Sequence, residues 1–321
     1  MTASASTSNV TGAASAAAPL RKQRRGGSAR RNRGGNRGGG LADWIGVGPP
    51  LLLFCLFIVV PMIVAVVLSF LNWNGAGNPT WAGFANWTQF LHDSQAHQSL
   101  WITVKLVVFS YVVQTPISIA LGLFTAGKGR LKSIYAAIYI LPLLISTVGV
   151  ALMWESLLDP LLGPFQGHQA WLSNPGDALY ALTLIIAWQF IPFHTLLYAV
   201  GRRQIPAVLY EAARIDGANP VQMFFRVTLP QLRYTIVTSG ILMIVGALTY
   251  FDIIFVMTGG GPGTSTRTLS LDMYLAVFPA SEFGYASVLA VIIGVIGIAI
   301  ALIMVKFSGF GRMQSQQEGA A

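Results

Sequence analysis

Apolar residues are concentrated in six long runs, which are separated by shorter segments rich in polar, charged, glycine and proline residues. Runs of about 20 apolar residues cross a bilayer as α-helices, because the hydrocarbon core holds no water to pair with free backbone groups. The pattern therefore predicts an all-α integral membrane protein with six transmembrane helices, at roughly 46–71, 100–125, 134–157, 178–200, 234–257 and 285–307.

Four of the predicted spans contain a proline, namely Pro61, Pro116, Pro142 and Pro192. Proline has no backbone N–H, so each removes one hydrogen bond inside its helix. Membrane bundles tolerate such breaks because neighbouring helices supply other partners. We therefore expect kinks in these four spans.

The composition agrees with the hydrophobic pattern. Hydrophobic residues make up 54% of the 321 positions, charged residues only 10%, and the mean hydropathy is +0.62. A soluble domain usually carries about 25% charged residues, so a soluble globular protein is excluded. The single cysteine, Cys55, lies in the first apolar run and can form no internal disulfide.

The basic residues predict the orientation in the membrane. All of the 20 Lys and Arg residues except Lys105 and Arg267 fall in the N-terminal tail, after span 2, after span 4 or at the C-terminus. Cytoplasmic segments of membrane proteins are enriched in Lys and Arg. We therefore expect a multi-pass protein of the bacterial cytoplasmic (inner) membrane, with both termini and the 201–233 segment in the cytoplasm.

Both ends of the chain differ in composition from the spans. Residues 1–40 are first rich in Ala, Ser and Thr and then in Arg and Gly, which predicts a disordered cytoplasmic tail. Residues 41–310 form the predicted membrane domain, and residues 311–321 a second cytoplasmic tail. Arg/Gly runs can bind RNA, but nucleic acid is not the expected partner, since a solvated tail that fixes topology and touches anionic membrane lipid explains the sequence more directly.

The segment 206–230 is polar and helical in pattern although it lies between two spans. Apolar residues recur at three- and four-residue spacing in its first half, which predicts a short amphipathic helix. Gly217 is suited to the left-handed position after a helix, and Asn219, Pro220 and Gln222 suit the start of the next one. The pattern predicts a cytoplasmic helix–turn–helix, and an amphipathic elbow on the membrane surface would explain it equally well. Its apolar positions are Val208, Leu209, Ala212, Ala213 and Ile215.

The same segment resembles a known family motif. Glu211, Ala212 and Ala213 are followed after three residues by Gly217, and after nine more by Val227, a spacer, Leu229 and Pro230. This spacing resembles the EAA loop of permeases from binding-protein-dependent ABC importers, with valine where isoleucine is usual. The flanking sequences "LYEAARIDGA", "TGGGPGTST" and "FGYASVLAV" are similar to sugar permeases, and the GGP loop to the maltose-type F-like subunit.

The resemblance covers residues 45–307 and implies a MetI-like transmembrane domain whose EAA loop is a coupling helix that docks on a cytoplasmic ATPase. It implies a sugar substrate, expected to be an oligosaccharide. It also implies four kinds of partner: a second, G-like permease, two cytoplasmic ABC ATPase subunits, and an extracytoplasmic sugar-binding protein. The chain would then be one half of an ATP-driven importer.

The chain itself is not expected to be an enzyme. "GLFTAGKG" at 122–129 nearly matches a phosphate-binding loop, but Gly129 stands where that loop needs Ser or Thr for magnesium. ATP and Mg²⁺ are therefore expected on the partner ATPase, with no cofactor or metal on this chain. His92, His97 and His168 lie in predicted external loops, while His194 lies in span 4, either lining a cavity or satisfied in the interior.

Polar residues inside spans mark candidate substrate contacts, because burying them in a membrane is costly. Aromatic faces combined with planar polar groups are the usual lining of sugar sites. Asp252 could instead be a buried partner for another helix, and the aromatic residues could be packing residues. The expected lining consists of Thr147, Trp188, Gln189, Phe193, Tyr250, Phe251 and Asp252.

Two other functions remain as alternatives. An autonomous secondary solute carrier would not explain the EAA spacing and is expected to show an internal repeat, which this chain lacks. A membrane-anchored RNA-binding adaptor would leave residues 206–230 without a role.

Overall fold

The computed structural model describes residues 41–127, 129–161, 163–164 and 171–308. The predicted tails, residues 1–40 and 311–321, as well as Lys128 and His168, lie outside the described residues. The chain divides into two units, residues 1–52 and residues 53–321. The first unit is described from Leu41, where helix α1 (Leu41–Phe54) begins, and the second holds all the later elements.

The first span is followed by a short hairpin in the second unit. After α1, a π-helical stretch (Cys55–Val59) leads into α2 (Val60–Leu68). Strands β1 (Leu71–Asn72) and β2 (Thr80–Trp81) then pair antiparallel. Helix α2 has no buried residue, as expected for a helix that faces lipid.

Long helices make up the centre of the second unit. The elements that follow the hairpin are α3 (Ala85–His92), α4 (Ser94–Ala126), α5 (Arg130–Tyr139), α6 (Leu141–Leu144), α7 (Thr147–Leu157) and α8 (Ala178–Gln204). Helices α4 and α8 pack most extensively against each other. A Cβ at Gly122 of α4 would lie 2.6 Å from the Cβ of Tyr198 and 3.0 Å from the carbonyl oxygen of Thr195, so only glycine allows this approach.

The last part of the second unit contains the elbow and the final spans. Its elements are α9 (Ala207–Ile215), α10 (Pro220–Met223), a π-helical stretch (Phe224–Thr228), α11 (Leu229–Gln231), α12 (Arg233–Thr249), α13 (Asp252–Thr258), α14 (Leu269–Val277) and α15 (Phe283–Ser308). Buried side chains of α4, α7, α8, α13 and α14 form the main apolar core, with Leu106, Leu182, Ile186, Ile254 and Leu271 at or near zero exposure.

Six spans are present only if two bent helix pairs are counted. Four described helices are long and apolar enough to cross a membrane unbroken: Gly46–Leu68, Ser94–Ala126, Ala178–Gln204 and Phe283–Lys306. The third predicted span, 134–157, is instead bent by 95° between Leu144 and Thr147. A second pair, Pro220–Gln231 and Arg233–Thr249, is bent by 67°.

The predicted fifth span, 234–257, is wrong as a continuous helix. Helix α12 ends at Thr249, Tyr250 is extended with ψ 115°, and α13 begins at Asp252. The carbonyl oxygen of Tyr250, freed by this break, accepts a hydrogen bond of 2.8 Å from the hydroxyl of Ser270. A partner from α14 therefore compensates the interruption.

The prolines do not have equal effects. Helices α4 and α8 run without a break through Pro116 and Pro192. Pro142 lies in the short helix α6, just before the 95° bend, and Ser146 there caps the next helix by accepting from the N–H of Gly149 over 3.1 Å. The predicted kink at Pro142 is thus a full change of direction.

Candidate functional site

The segment 206–230 folds as the predicted helix–turn–helix. Helix α9 ends with Gly217 at φ +76°, the left-handed conformation in which glycine avoids a steric cost. The N–H of Ala218 bonds to the carbonyl of Ala213 over 2.9 Å, and that of Gly217 to the carbonyl of Arg214 over 3.0 Å. These two bonds form a Schellman motif, which closes the helix end.

The next helix begins with a reciprocal capping box. Asn219 Oδ1 accepts from the N–H of Gln222 over 2.8 Å, and Gln222 Oε1 accepts from the N–H of Asn219 over 2.9 Å. Pro220 occupies the first turn, where its missing N–H costs nothing. The two turns at 216–220 are therefore closed by local hydrogen bonds on both sides, as the sequence predicts.

A polar contact braces the two arms of the elbow. The hydroxyls of Tyr210, in α9, and Thr228, at the end of the second arm, lie 2.9 Å apart. The guanidinium of Arg202 lies 4.0 Å from the centre of the Tyr210 ring, which ties the end of α8 to the first arm. Thr228 and Leu232 are buried where the second arm meets α12. Such bracing suits a rigid lever that is fixed to two membrane helices.

The elbow presents unpaired apolar side chains. No residue of α9 is buried, and Glu211 is exposed. Ile215 is 87% exposed, and Val208, Val221 and Phe225 are also more than half exposed. Exposed apolar groups of this kind mark a surface that contacts a partner or a membrane. We call this surface, formed by Val208, Glu211, Ile215, Val221 and Phe225, the elbow surface.

Gly217 has the left-handed conformation that the sequence predicts. A Cβ at Gly217 would meet no described atom within 4 Å, so close packing inside this chain does not require glycine. The positive φ does require it.

Two of the predicted substrate residues, Gln189 and Thr147, lie together. Nε2 of Gln189 donates to the carbonyl of Ile145 over 3.3 Å and to Oγ1 of Thr147 over 3.4 Å. Gln189 is 2% exposed, and its Oε1 has no hydrogen bond to the residues that the structure describes. The side chain therefore satisfies the backbone at the 95° bend between α6 and α7, a structural task.

The predicted aromatic residues belong to several separate contacts. Trp188 meets Trp154 edge to face at 5.6 Å between ring centres, and Tyr250 stacks on Phe190 at 5.3 Å. Phe193 is 36% exposed. Trp188 and Tyr250 therefore make packing contacts within this chain, and their place in a substrate path stays a prediction.

Phe251 lines an apolar cavity of about 380 Å³ beside α14. Its ring stacks on Phe255 at 5.1 Å and contacts Tyr274 at 4.8 Å. None of the other six predicted substrate residues lines this cavity. Trp188, Tyr250 and Phe251 nevertheless pack against the same buried apolar cluster, and the seven residues stay a predicted substrate path.

Asp252 is exposed at the first position of α13. It makes no hydrogen bond or ion pair within the described part of the chain, so no described residue of this chain is its ion-pair partner. A carboxylate in the first turn of a helix is stabilised by the helix dipole. Its negative charge is therefore available to a group outside this chain.

The histidine in span 4 is satisfied internally. Nδ1 of His194 lies 2.9 Å from the hydroxyl of Ser239, and the side chain is 3% exposed. It joins α8 to α12.

The loop between α13 and α14 forms a polar pocket that the substrate predictions missed. Oγ1 of Thr266 donates to the carbonyl of Gly261 over 2.8 Å and contacts Thr258, and Arg267 forms an ion pair with Asp272. A pocket of about 400 Å³ lies against this loop, with Glu155 and Asp159 in its wall. The Gly- and Pro-rich sequence "TGGGPGTST" signals the fixed turn, and Glu155 is a carboxylate inside the predicted third span, a costly position that marks a candidate cavity residue.

Comparison with known proteins places the chain in a family. The family model described as "Binding-protein-dependent transport system inner membrane component" matches residues 118–309. The probable ABC transporter permease protein YurN of Bacillus subtilis (strain 168) is 30% identical over 82% of this chain and 94% of its own length. The multiple sugar-binding transport system permease protein MsmF of Streptococcus mutans is 29% identical over 81% of this chain and 92% of its own.

A solved structure shows the same fold. A chain in the crystal structure of a bacterial alginate ABC transporter, in complex with an alginate pentasaccharide-bound periplasmic protein, superposes with a TM-score of 0.72 at 22% identity. The match covers 84% of this chain and 95% of that one. The fold is therefore the MetI-like transmembrane domain that the sequence predicts, and this chain belongs to the family of binding-protein-dependent transport system inner membrane components.

Proposed function

We propose that this chain is the F-like permease subunit of an ABC importer that moves a sugar into the cytoplasm. The proposed sugar is an oligosaccharide. The observation that supports this most directly is the elbow at 206–230, a capped lever with an exposed apolar and acidic surface. The Streptococcus mutans relative is named for multiple-sugar transport, and the alginate transporter binds a saccharide-loaded periplasmic protein. Both make a saccharide the first substrate class to test.

In this proposal ATP and Mg²⁺ bind to two cytoplasmic ATPase subunits and not to this chain. Closure of the ATPases moves the elbow surface, and the elbow moves α8 and α12. Rigid-body motion is transmitted efficiently only if the lever does not bend. The Schellman motif at Gly217, the capping box at Asn219 and the contact between Tyr210 and Thr228 supply that rigidity.

The substrate path requires a second, G-like permease. Asp252 and Phe193 are exposed in this chain at depths where the predicted spans cross the membrane. A carboxylate facing lipid is costly, so the face with Asp252 is expected to line a cavity closed by the second permease. Thr147, Trp188, Gln189, Tyr250 and Phe251 then shape this path from behind, since each packs or bonds within the chain.

The experiment is purification of the tagged chain from its native membrane, followed by identification of its stoichiometric partners and by uptake of labelled oligosaccharides in vesicles. We expect two copies of an ATPase, one further permease, and uptake that needs both ATP and an extracytoplasmic binding protein. Uptake by the chain alone, driven by an ion gradient, would instead support a secondary carrier. Recovery of RNA with the chain and no ATPase would support the adaptor.

A further inference from the structure

A polar pocket lies between the hairpin, helix α3 and the start of α15. It encloses about 430 Å³, a volume within the range of about 300–1,000 Å³ that is usual for small-molecule pockets. Trp73 and Tyr285 contribute aromatic rings, and the other apolar lining residues are alanine and glycine. We call this the hairpin pocket. Its polar lining residues are Asn72, Asn74, Asn86, Gln89, Ser281 and Glu282.

The hairpin pocket is separate from the predicted substrate path. The hairpin follows the first span, α3 precedes α4, and the turn at 278–282 precedes α15. The positive-inside rule places these three connections on the outer side of the membrane. None of the seven predicted substrate residues lines the pocket.

Contacts within the chain fix the walls of the pocket. Nδ2 of Asn86 donates to the carbonyl of Leu71 over 2.9 Å, and the N–H of Phe283 donates to the carbonyl of Trp73 over 3.1 Å. A Cβ at Gly284 would overlap the carbonyl oxygen of Leu71, so glycine allows the hairpin to approach α15 this closely. The pocket is therefore largely formed before any ligand binds.

The polar groups of the pocket keep free donors and acceptors. Nε2 of Gln89 donates to Oε2 of Glu282 over 3.3 Å, which leaves Oε1 of each side chain for a ligand. Oδ1 of Asn74 accepts from the N–H of Ala76 over 3.1 Å, which leaves its Nδ2. The amide of Asn72 is exposed and bonds to no residue that the structure describes. These planar groups suit the paired hydroxyls of a sugar ring, since each amide offers both a donor and an acceptor.

An aromatic ring is held beside these groups. The indole N–H of Trp73 donates to the carbonyl of Gly77 over 3.1 Å, and its ring lies 5.1 Å from the ring of Phe283 between centres. Ser281, on the opposite wall, has φ +57°. Non-glycine residues rarely adopt this conformation, and such strained residues cluster at ligand sites.

The charge of the pocket favours a neutral ligand. Glu282 is its charged residue, and no Lys or Arg is among the described residues that line it. A ligand with its own carboxylate or phosphate would therefore meet a like charge without a compensating cation.

We propose that the hairpin pocket binds a neutral saccharide, with a sugar ring against Trp73 and its hydroxyls bonded to Asn72, Gln89 and Glu282. It would hold one end of the oligosaccharide on the outer side before the sugar enters the path between the spans. The class of ligand rests on the proposed function. The site itself rests on the pocket.

The experiment uses the complete transporter in nanodiscs, without the binding protein, and measures binding by saturation-transfer NMR. The probes are the neutral trisaccharides maltotriose, cellotriose and raffinose, and the acidic trigalacturonate. We expect at least one neutral trisaccharide to bind and trigalacturonate not to bind. Glu282→Gln should weaken neutral binding about tenfold, the loss expected for a charge-assisted hydrogen bond, and should reduce the discrimination against trigalacturonate.

Three further variants locate the binding. Gln89→Leu should weaken it about fivefold, the loss expected for one hydrogen bond between neutral groups. Ala85→Trp fills the pocket from the exposed first position of α3 and should abolish this binding. Gln98→Leu is the matched control, because Gln98 is exposed on α4 and does not line the pocket. Size-exclusion chromatography and thermal unfolding verify that each complex is assembled and folded.

Absence of binding by all three neutral trisaccharides would overturn the proposal, and so would equal binding by the wild type and Ala85→Trp. If Ala85→Trp instead loses the binding protein and keeps the saccharide, the pocket seats the binding protein and the proposal is wrong. ATP-driven uptake is measured separately on the same complexes. Saccharide binding at the pocket without such uptake would count against the proposed transport function and not against the saccharide site.

Discussion

The phenolic hydroxyl of Tyr285 donates a hydrogen bond of 2.6 Å to Oδ2 of Asp93, although the two residues are 192 positions apart. The other carboxylate oxygen, Oδ1, accepts from the backbone N–H groups of Gln95 and Ala96. One side chain therefore caps α4 and ties it to the first turn of α15. Burial alone raises the pKa of the Asp93 carboxyl, but these three hydrogen bonds outweigh it, so the pKa lies below its ordinary value.

Tyr285→Phe should lower the stability of the complex near pH 7 by about 1.5–3 kcal/mol, the usual value of a hydrogen bond to a charged group. Because the folded pKa of Asp93 is lowered, stabilisation by the ionised form is fully present above the ordinary value of 3.8 and is lost as the pH falls through the folded value. Thermal unfolding at several pH values measures both effects. The difference between wild type and variant should be constant near neutral pH and shrink in acid.

Asp93→Asn is the matched control, because its amide oxygen can still cap α4 but has no charge. This variant should lose the acid dependence and keep most of the cap. A difference between wild type and Tyr285→Phe that grows as the pH falls would contradict the assignment.

The predicted orientation can be tested by cysteine labelling in a chain that lacks Cys55. Thr80→Cys in β2 and Ala280→Cys between α14 and α15 are both at exposed positions that the topology places outside. Ile215→Cys, on the elbow surface, is 87% exposed and should be cytoplasmic. An impermeant thiol reagent should label the first two in intact cells, and the third only after the membrane is opened. Labelling of Ile215→Cys in intact cells would invert the topology.

Gly217→Val should abolish transport while leaving the complex inserted and assembled. Valine at φ +76° is strained by about 1–2 kcal/mol, and its branched side chain projects from the turn of the lever towards the proposed ATPase. The measurement is sugar uptake in vesicles, together with ATPase recovery on purification.

Gly77→Val controls for backbone strain alone. Gly77 lies in the hairpin that the predicted orientation places outside, at φ +69°, and a Cβ there also meets no described atom within 4 Å. Its substitution should cost similar stability without uncoupling ATP hydrolysis from uptake. If both variants transport alike, the turn at Gly217 is not part of the coupling joint.

The elbow could be predicted from sequence because its signals are local. Gly217, Asn219, Pro220 and Gln222 each satisfy the backbone within a few residues, and the hydrogen bonds of the Schellman motif and capping box confirm those predictions. Local propensity decides such turns.

The breaks in the spans could not be predicted, because the residues that donate hydrogen bonds to the freed carbonyl groups are distant in sequence. The carbonyl of Ile145 accepts a hydrogen bond from Gln189, and that of Tyr250 accepts one from Ser270. The hydropathy of these segments is the same whether the helix is continuous or bent. Of the predicted substrate residues, Trp188, Tyr250 and Phe251 pack against one buried cluster and Gln189 bonds to Thr147.

Gln189→Ala should destabilise the complex by about 1 kcal/mol, because it removes the amide donor to the carbonyl of Ile145 at the bend. The loss should affect all sugars equally. Gln189→Glu, which keeps the volume but cannot donate when ionised, should be at least as harmful. Thermal unfolding and relative uptake of several sugars test this. A change in sugar preference at unchanged stability would show that Gln189 contacts the substrate.

Asp252→Asn preserves the size of the side chain and removes its charge, so it tests the substrate path directly. Asp252 is exposed and has no described partner within the chain, and the variant complex should therefore assemble normally. If the carboxylate accepts hydrogen bonds from sugar hydroxyls, uptake normalised to assembled complex should fall about tenfold, since a charged acceptor becomes neutral. Sugar-stimulated ATP hydrolysis should fall with it.

Asp272→Asn provides the contrast for that last variant. Its carboxylate is 5% exposed, belongs to the ion pair with Arg267 and lies in the first turn of α14. Because Asp272 is buried while Arg267 is 28% exposed, removing the charge should destabilise the chain, and less assembled complex should be recovered. An Asp252→Asn complex that also fails to assemble would mean that Asp252 pairs with a cation of the second permease, and the sugar path would then lie elsewhere.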